Sequence, residues 1–459
     1  MDRSDLLEEL TRVVGREGLF AGLRDRLVYR YDATGGETEP LAVVFPADAA
    51  EAAAVVRIAH RKGIPVVVRG AGTNLSGGTV PQAGGVVLVC TRMSRILEID
   101  VASERAVVEA GVVNLDLQNA LAPVGYLFAP DPSSQKVSTL GGNVGENAGG
   151  PHCLKYGITS DHVIGLEVVL ADGRVVHTGG LVEDTPGYDL TGLLVGSEGT
   201  LGVVTSMALR LMRAPEAIKT MLAIFGRLED AGDAVSEMIA EGIVPATLEI
   251  MDRTIVEAIE ASGASAGYPV DAEGVLLIEL DGLAEGQDRQ AERIVEICRS
   301  HHARDVRVAR TEAERNQLWM GRRAAYSALV SLAPGSSIHD TTVPRTRLAE
   351  TLHKVREIAQ RYGLTIGTAA HAGDGNLHPL VVYDTEDPEE MERVRRADRE
   401  IVELSVEMGG TLTGEHGIGL EKRDYMPLLF GDLELNLMRQ LKRVFDPEGL
   451  LNPGKLLPG

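Results

Sequence analysis

Two short segments concentrate side chains that can bind a metal and move a proton. The first, HAGDGNLH, occupies residues 371–378. Asp374-Gly375 is a favoured two-residue hairpin turn, and a turn there predicts that His371 and His378 are direct cross-strand partners. Such partners share a sheet face with Cβ atoms about 5 Å apart, close enough for both imidazoles to bind one ion. The second segment, TGEHGIG, occupies residues 413–419. Glu415 can add a carboxylate, and two His plus one carboxylate with an open position is the pattern of a catalytic metal site rather than a closed structural one. His416 is then a spare imidazole beside a cation, suited to removing a proton from what the ion binds. Its blander role is a fourth ligand or a support for another ligand. Adjacent side chains on a strand diverge, so Gly414 and Gly417 must bend the chain for both to face one site. In LWMGRR, residues 318–323, Arg322 and Arg323 follow the only Trp. A planar guanidinium fork suits a carboxylate bidentately, although Arg on a helix surface is common. Cys153, beside His152, has no partner pattern and reads as an ordinary loop thiol.

Three glycine-rich blocks lie between Arg69 and Val204. RGAGTNLSGG (69–78) follows a buried-type strand at 64–68. Successive backbone N–H groups in such a loop form an anion nest. The dinucleotide fingerprint would need Gly where Leu75 stands and then a helix, and no Gly-Lys-Ser/Thr follows for the mononucleotide form. TLGGNVGENAGG (139–150) adds Asn143, Glu146 and Asn147, able to bond a heterocycle or ribityl chain, and GSEGTLGVV (196–204) closes the series. The blocks are either tight turns between short strands or a cradle for a long ligand with a pyrophosphate and a ring system.

The surrounding elements must hold these loops. An Ala-rich helix is expected over 48–62, closing at Gly63, with strands near 86–90 and 106–110 and a helix over 114–121. GLEVVL and VVHT flank the turn 171–174 as a hairpin. From Pro215 the texture changes to amphipathic helices (230–241, 253–261, 288–301) alternating with strands such as 275–280, and the mixed-charge helix 389–408 reads as a solvated face. The resulting division is N-terminal helices over 1–35, ended by Gly35-Gly36; a ligand-binding domain over 36–215; a substrate domain over 216–410; and a C-terminal segment, 411–459, pinned onto another surface.

Composition bounds the function. The 459 residues suggest two or three domains. Sixty-seven acidic residues against 45 Lys and Arg give a formal charge of −22, which disfavours nucleic acid or an anionic membrane as partner. No apolar run approaches the ~20 residues of a membrane span, and the acidic, helical N-terminus is unlike a signal peptide. Three scattered cysteines make neither a disulfide framework nor an iron–sulfur site. The expectation is a folded enzyme of a reduced compartment, the cytoplasm.

Taken in order, RGAGTNLSGG, DPSSQKVSTLGGNVGENAGG, GSEGTLGVV, HAGDGNLHP, TGEHGIG and FDPEGLLNPGK resemble the FAD-linked oxidases of the vanillyl-alcohol-oxidase/para-cresol-methylhydroxylase fold. The likeness is strongest to the branch of glycolate oxidase FAD subunits and D-lactate dehydrogenases. It implies an α+β chain: a two-subdomain FAD-binding domain, an α+β substrate cap domain, and a tail returning to the FAD domain. By position it implies FAD contacts from Arg69, Gly70, Ala71, Gly72, Thr73, Asn74 and Gly77 in the pyrophosphate loop. Pro130, Asp131, Ser134, Thr139, Gly142, Asn143 and Asn147 match the segment along the flavin, with Gly199, Val203, Val204 and Asn452 as further contacts. It implies His371, His378 and Glu415 as ligands of a divalent metal, Zn²⁺ in the first instance, with His416 as base and Arg322 as carboxylate anchor. Relatives that oxidise D-2-hydroxyglutarate carry Lys where Ile338 stands and Asn where Leu380 stands, so the resemblance favours a short or apolar substrate such as glycolate or D-lactate.

The implied reaction is oxidation of a D-2-hydroxy acid to the 2-oxo acid by hydride transfer to flavin, with metal assistance and His416 as base. A D-2-hydroxyglutarate dehydrogenase, an alkyl-glycerone-phosphate synthase, a metal-dependent hydrolase and a non-catalytic flavoprotein subunit remain as alternatives. The electron acceptor is open among a quinone, a cytochrome, an electron-transfer flavoprotein and an iron–sulfur partner subunit. Peripheral attachment at the inner membrane through a partner, and a homodimer, are likewise open. Because an acidic chain must still attract a carboxylate, Arg322 and the metal are expected to form a local positive pocket.

Overall fold

Asp48 caps the Ala-rich helix as its sequence dictates. Its carboxylate accepts the Glu51 N–H at 2.9 Å, the helix runs Ala49–Lys62, and Gly63 ends it in the left-handed region. The computed structural model describes residues 3–34, 36–81, 84–182 and 186–459; Gly35 of the expected break lies outside the described residues. The chain is mixed α and β and divides into two units. One comprises Met1–Gly150, Gly157–Ala214 and Glu415–Gly459; the other comprises Pro151–Tyr156 and Pro215–Gly414.

In the first unit, Val86–Val89 pairs parallel with both Ala42–Val44 and Val66–Arg69, and Leu19–Phe20 closes the edge of this four-stranded sheet. A five-stranded antiparallel sheet follows the order Ile96–Asp100, Arg105–Glu109, Val203–Arg210, Val163–Val169, Val175–Gly179. Its last two strands are the expected hairpin, with Val169 opposite Val175. The glycine block after Ser138 holds a short helix that composition alone does not suggest, Leu140–Glu146. Its glycines disfavour helix, but Thr139 Oγ1 accepts the Gly142 N–H and Leu140, Asn143 and Val144 are buried. The tail returns to this unit: Leu451 bridges Val66, and Asn452 donates to the Gly78 and Glu198 carbonyls at 2.9 and 2.6 Å.

The second unit is built on an eight-stranded sheet whose pairings are all antiparallel. Its main path runs Ala303–Val308, Ala217–Phe225, Gly274–Gly282, Thr247–Asp252, Thr365–His371, Asn376–Tyr383, Gly335–Ile338. Side chains alternate between faces, and helices cover both. Met221, Ala223, Leu248, Ile250, Leu276 and Ile278 meet the helices Leu228–Ala240, Gln287–Ser300, Leu348–Tyr362 and Pro388–Glu407. Leu222, Ile224, Met251, Val275, Leu277, Ala369 and Leu380 meet Arg253–Ala261 and Glu312–Val330. Two buried faces explain why the strands read as continuous apolar runs rather than alternating ones. Among the described residues, no helix is long and apolar enough to cross a membrane.

Candidate active site

The three glycine blocks converge in the first unit. They line one cleft of about 1180 Å³, its solvent-open mouth included, and Glu415 and His416 complete its wall. Gly70, Ala71, Gly72, Thr73, Asn74, Ser134, Thr139, Gly142, Asn143, Gly199 and Val204 all border it. Two further wall atoms, Asn143 Nδ2 and Ser138 Oγ, are buried with no hydrogen-bond partner among the described residues. Buried donors are rarely left unmatched, so the wall presents groups that a bound polar ligand would satisfy. Loops of backbone amides together with these atoms fit an extended dinucleotide better than a compact ligand.

Other residues singled out from sequence stand behind the wall. Arg69 donates to the Tyr31 carbonyl at 2.7 Å and lies over the Tyr29 ring, bracing the loop from inside. Asn147 takes a left-handed conformation that ends the short helix and accepts the Ser160 N–H. Pro130 accepts from Asn114 Nδ2, Asp131 packs against Gly150 and Gly77 against Leu420, and Val203 is fully buried in its sheet. Asn452 ties two of the loops together.

Electrostatics in the cleft centre on two carboxyl groups. Burial, then the charge of Glu198, push Glu146 well above the ordinary carboxylate range. Burial raises Glu198 too, but the Gly419 and Ile418 N–H groups bond its charged form. The proton of the pair therefore belongs on Glu146. Lys455 donates to the Gly78 and Val80 carbonyls, and burial lowers it to about 8 against the opposing pull of Asp32, Glu198 and Glu146. The bend required after Glu415 and His416 is present: Gly417 has φ +88° and passes close to the carboxylates of Glu146 and Glu198. His416 Nε2 and Glu415 Oε1 lie 3.9 Å apart.

In the second unit, one sheet face carries a polar row above its apolar core. His371 and His378 are on that face with ring centroids 5.1 Å apart and planes at 85°. They are not direct partners, which corrects the expected two-residue turn. His371 pairs with Asn376, and Ala369 with His378. The loop is four residues long because Gly375, at φ +84°, turns against the Val343 carbonyl, where a Cβ would lie 2.1 Å away. A register displaced by two keeps both imidazoles on one face.

Two buried glutamates organise this face, and sequence reading missed both. Glu249, with no exposed side-chain surface, accepts from His371 Nδ1 at 2.6 Å through Oε1 and from Arg322 Nε at 2.6 Å through Oε2. Burial would raise Glu249, but Arg322 and His371 together hold it below the ordinary range. Glu279 accepts from Thr220 Oγ1 at 2.6 Å and Trp319 Nε1 at 2.7 Å, and His152 stacks on the same indole. Trp319 and Arg322 lie three apart on one helix, so they share a face. The available signal was an acid flanked by apolar residues within each strand, Glu249 in TLEIMD and Glu279 in GVLLIELDG. Of the two parts of the expected positive pocket, Arg322 is matched in charge by Glu249. Asp340 is fully buried and bonds Thr413 Oγ1 and the Gly414 N–H, fixing the residues that precede Glu415 in the chain. Ile338 and Leu380, the two positions marked by their apolar character, are direct cross-strand partners.

Comparison with known proteins agrees with the cleft. Residues 40–179 match the FAD binding domain model and residues 214–456 the model for FAD linked oxidases, C-terminal domain. The chain is 46% identical over 458 residues to the glycolate oxidase subunit GlcD of Bacillus subtilis (strain 168), covering 99% of this chain and 97% of the relative. It is 37% identical to a D-lactate dehydrogenase of Archaeoglobus fulgidus, covering 94% and 95%. Among solved structures, p-cresol methylhydroxylase with substrate bound superposes with a TM-score of 0.82 at 18% identity, covering 98% of this chain and 96% of that one. An alkyldihydroxyacetonephosphate synthase reaches 0.79 at 18% identity, covering 99% and 86%. At such identity these two establish the fold alone, while the domain models and full-length relatives establish more: the chain belongs to the family of FAD-linked oxidases.

Proposed function

We propose that this chain oxidises a short 2-hydroxy acid, glycolate or D-lactate, to the corresponding 2-oxo acid, with FAD in the glycine-lined cleft. The observation that carries the reading is the near full-length similarity to a glycolate oxidase subunit and a D-lactate dehydrogenase. The direct pairing of Ile338 with Leu380 beside His378 supports a short substrate, because an apolar pair leaves a distal carboxylate without a partner.

FAD, when bound, supplies the acceptor for the two electrons of the oxidation. Arg322 holds the substrate carboxylate; Glu249 already occupies its Nε and Nη2, so Nη1 is the arm for that contact. His371, His378 and Glu415 are the residues that would hold a divalent metal, and the His371 bond to Glu249 is the usual support of a metal-ligating imidazole. A metal bound there would lower the pKa of the α-hydroxyl, as it does for water. His416 accepts the hydroxyl proton. The name "subunit" borne by the Bacillus subtilis relative supports a partner protein, and the electron acceptor stays open among a quinone, a cytochrome, an electron-transfer flavoprotein and an iron–sulfur subunit.

The test is anaerobic flavin reduction by a panel of D- and L-2-hydroxy acids, with metal analysis of the same sample. The expected result is absorption at about 450 nm, the flavin band, that bleaches with D-lactate or glycolate. In His416→Ala the protein should stay yellow and folded while reduction slows by about 10²–10⁴, the usual contribution of a general base. A flavin that no short 2-hydroxy acid bleaches would overturn the substrate assignment. Unchanged reduction in the variant would remove His416 from the reaction.

A further inference from the structure

We propose that Glu249 is a positioning residue whose single carboxylate sets both the tautomer of His371 and the orientation of Arg322, so that metal ligand and substrate anchor are fixed together. The inference rests on the roles proposed above for those two residues. Glu249 and His371 are direct partners on neighbouring strands, so the backbone ladder itself brings carboxylate and imidazole together. Oε1 lies 2.6 Å from His371 Nδ1, while Oε2 takes Arg322 Nε and Nη2, each at 2.6 Å. Glu249 is wholly buried, and the side chain of Arg322 is only 16% exposed. Burial of the carboxylate leaves water little access to either bond.

The chemistry follows from donors and acceptors. A carboxylate at Nδ1 accepts a hydrogen bond, so the imidazole proton resides on Nδ1 and the lone pair on Nε2, the nitrogen that can serve as a Lewis base. On the other side, capture of the Nε–Nη2 edge fixes the plane of the guanidinium. A purely structural glutamate would also neutralise Arg322, but it would have no influence on which imidazole nitrogen carries the proton.

That difference makes the proposal testable with Glu249→Gln in the full-length, FAD-loaded protein. The amide offers one acceptor and one donor. Arg322 can only donate, so it takes the amide oxygen, and the amide NH₂ then faces His371 Nδ1. The ring must answer with a lone pair at Nδ1 and a proton at Nε2. Ring ¹⁵N shifts of [¹⁵N]histidine-labelled protein, with the His371 signals assigned through His371→Asn, should therefore report Nδ1–H in the parent and Nε2–H in the variant. Zn²⁺ affinity, measured by competition with a chromophoric chelator, should fall about 10–100-fold, as is usual when a ligand's support is lost. KM for glycolate should rise more than kcat falls.

An unchanged tautomer, with Zn²⁺ affinity and KM close to those of the parent, would overturn the proposal. A parent protein that binds no Zn²⁺ would instead remove the metal from the proposed function, and the tautomer switch would still decide the role of Glu249. If Glu249→Gln does not fold, Glu249→Asp keeps the charge but is one methylene too short to reach both partners. It should weaken Zn²⁺ binding or raise KM, and parental values for both would again overturn the assignment.

Discussion

Glu146 and Glu198 place two carboxyl groups in one cleft wall, and backbone N–H groups hold only Glu198 in its charged form. Glu146 has a hydroxyl, Ser76 Oγ, at 3.4 Å. Its folded-state pKa is raised, first by burial and then by Glu198. The stability this group contributes is therefore fully present below its ordinary pKa of 4.5 and is lost as pH rises through the raised value. Glutamine mimics the protonated acid without titrating. In thermal melts of the apo-protein, Glu146→Gln should match the parent near pH 4.5 and become the more stable of the two toward about pH 8. A parent that is more stable at the alkaline end would mean that Glu146 is ionised and paired in the fold. The residue was readable in sequence as a polar group of its glycine block, but its protonation was not, because that depends on burial in the folded wall and then on Glu198, a residue remote in the chain.

At the scale of elements, the hairpin after Thr365 shows what local pattern can and cannot specify. HAGDGNLH is legible as a turn between strands, and the common face of its histidines is correct. The loop length is not legible, because it is decided by the Val343 carbonyl, which belongs to another segment and closes on Gly375. Gly375→Ala should thus cost about 1–3 kcal/mol of stability, the range for a strained backbone site, and should lower Zn²⁺ retention by displacing His371 from His378. A variant with parental Tm and metal content would show that the turn tolerates a side chain. Helix limits, by contrast, were largely readable because they are local: Arg253–Ala261 and Asn114–Leu121 begin and end where their sequences predict. Glu249 and Glu279 were not, since an acid in a strand reveals its partner only when the register is known. That register also places Ile338 opposite Leu380. Ile338→Lys combined with Leu380→Asn should shift the ratio of kcat/KM toward D-2-hydroxyglutarate over D-lactate by at least about tenfold, or ~1.4 kcal/mol. An unchanged ratio would detach these two positions from substrate selection.

For the whole molecule, the −22 charge sets a problem that the site only partly answers. Sequence alone made Arg322 the attractor of an anionic substrate, but the structure pairs it with Glu249, so the two together add no net charge. In the proposed reaction, close contacts with Arg322 Nη1 and with a cation, once bound, would favour the carboxylate. The long-range field does not: a glycolate or lactate anion approaching from bulk meets the summed charge of the acidic surface before it meets the site. Repulsion of this kind acts over a Debye length, about 30 Å at 0.01 M salt and about 8 Å at 0.15 M. Salt should therefore screen it much more effectively than it screens a short, partly buried contact. The expected consequence is that kcat/KM for glycolate rises about two- to fivefold between those two ionic strengths in NaCl, the reverse of electrostatic steering, while kcat stays nearly constant. A fall in kcat/KM with added salt would mean that a locally positive funnel dominates the encounter. In that case a metal of the kind proposed above would govern approach as well as chemistry, and treating the protein with a chelator should abolish the salt dependence.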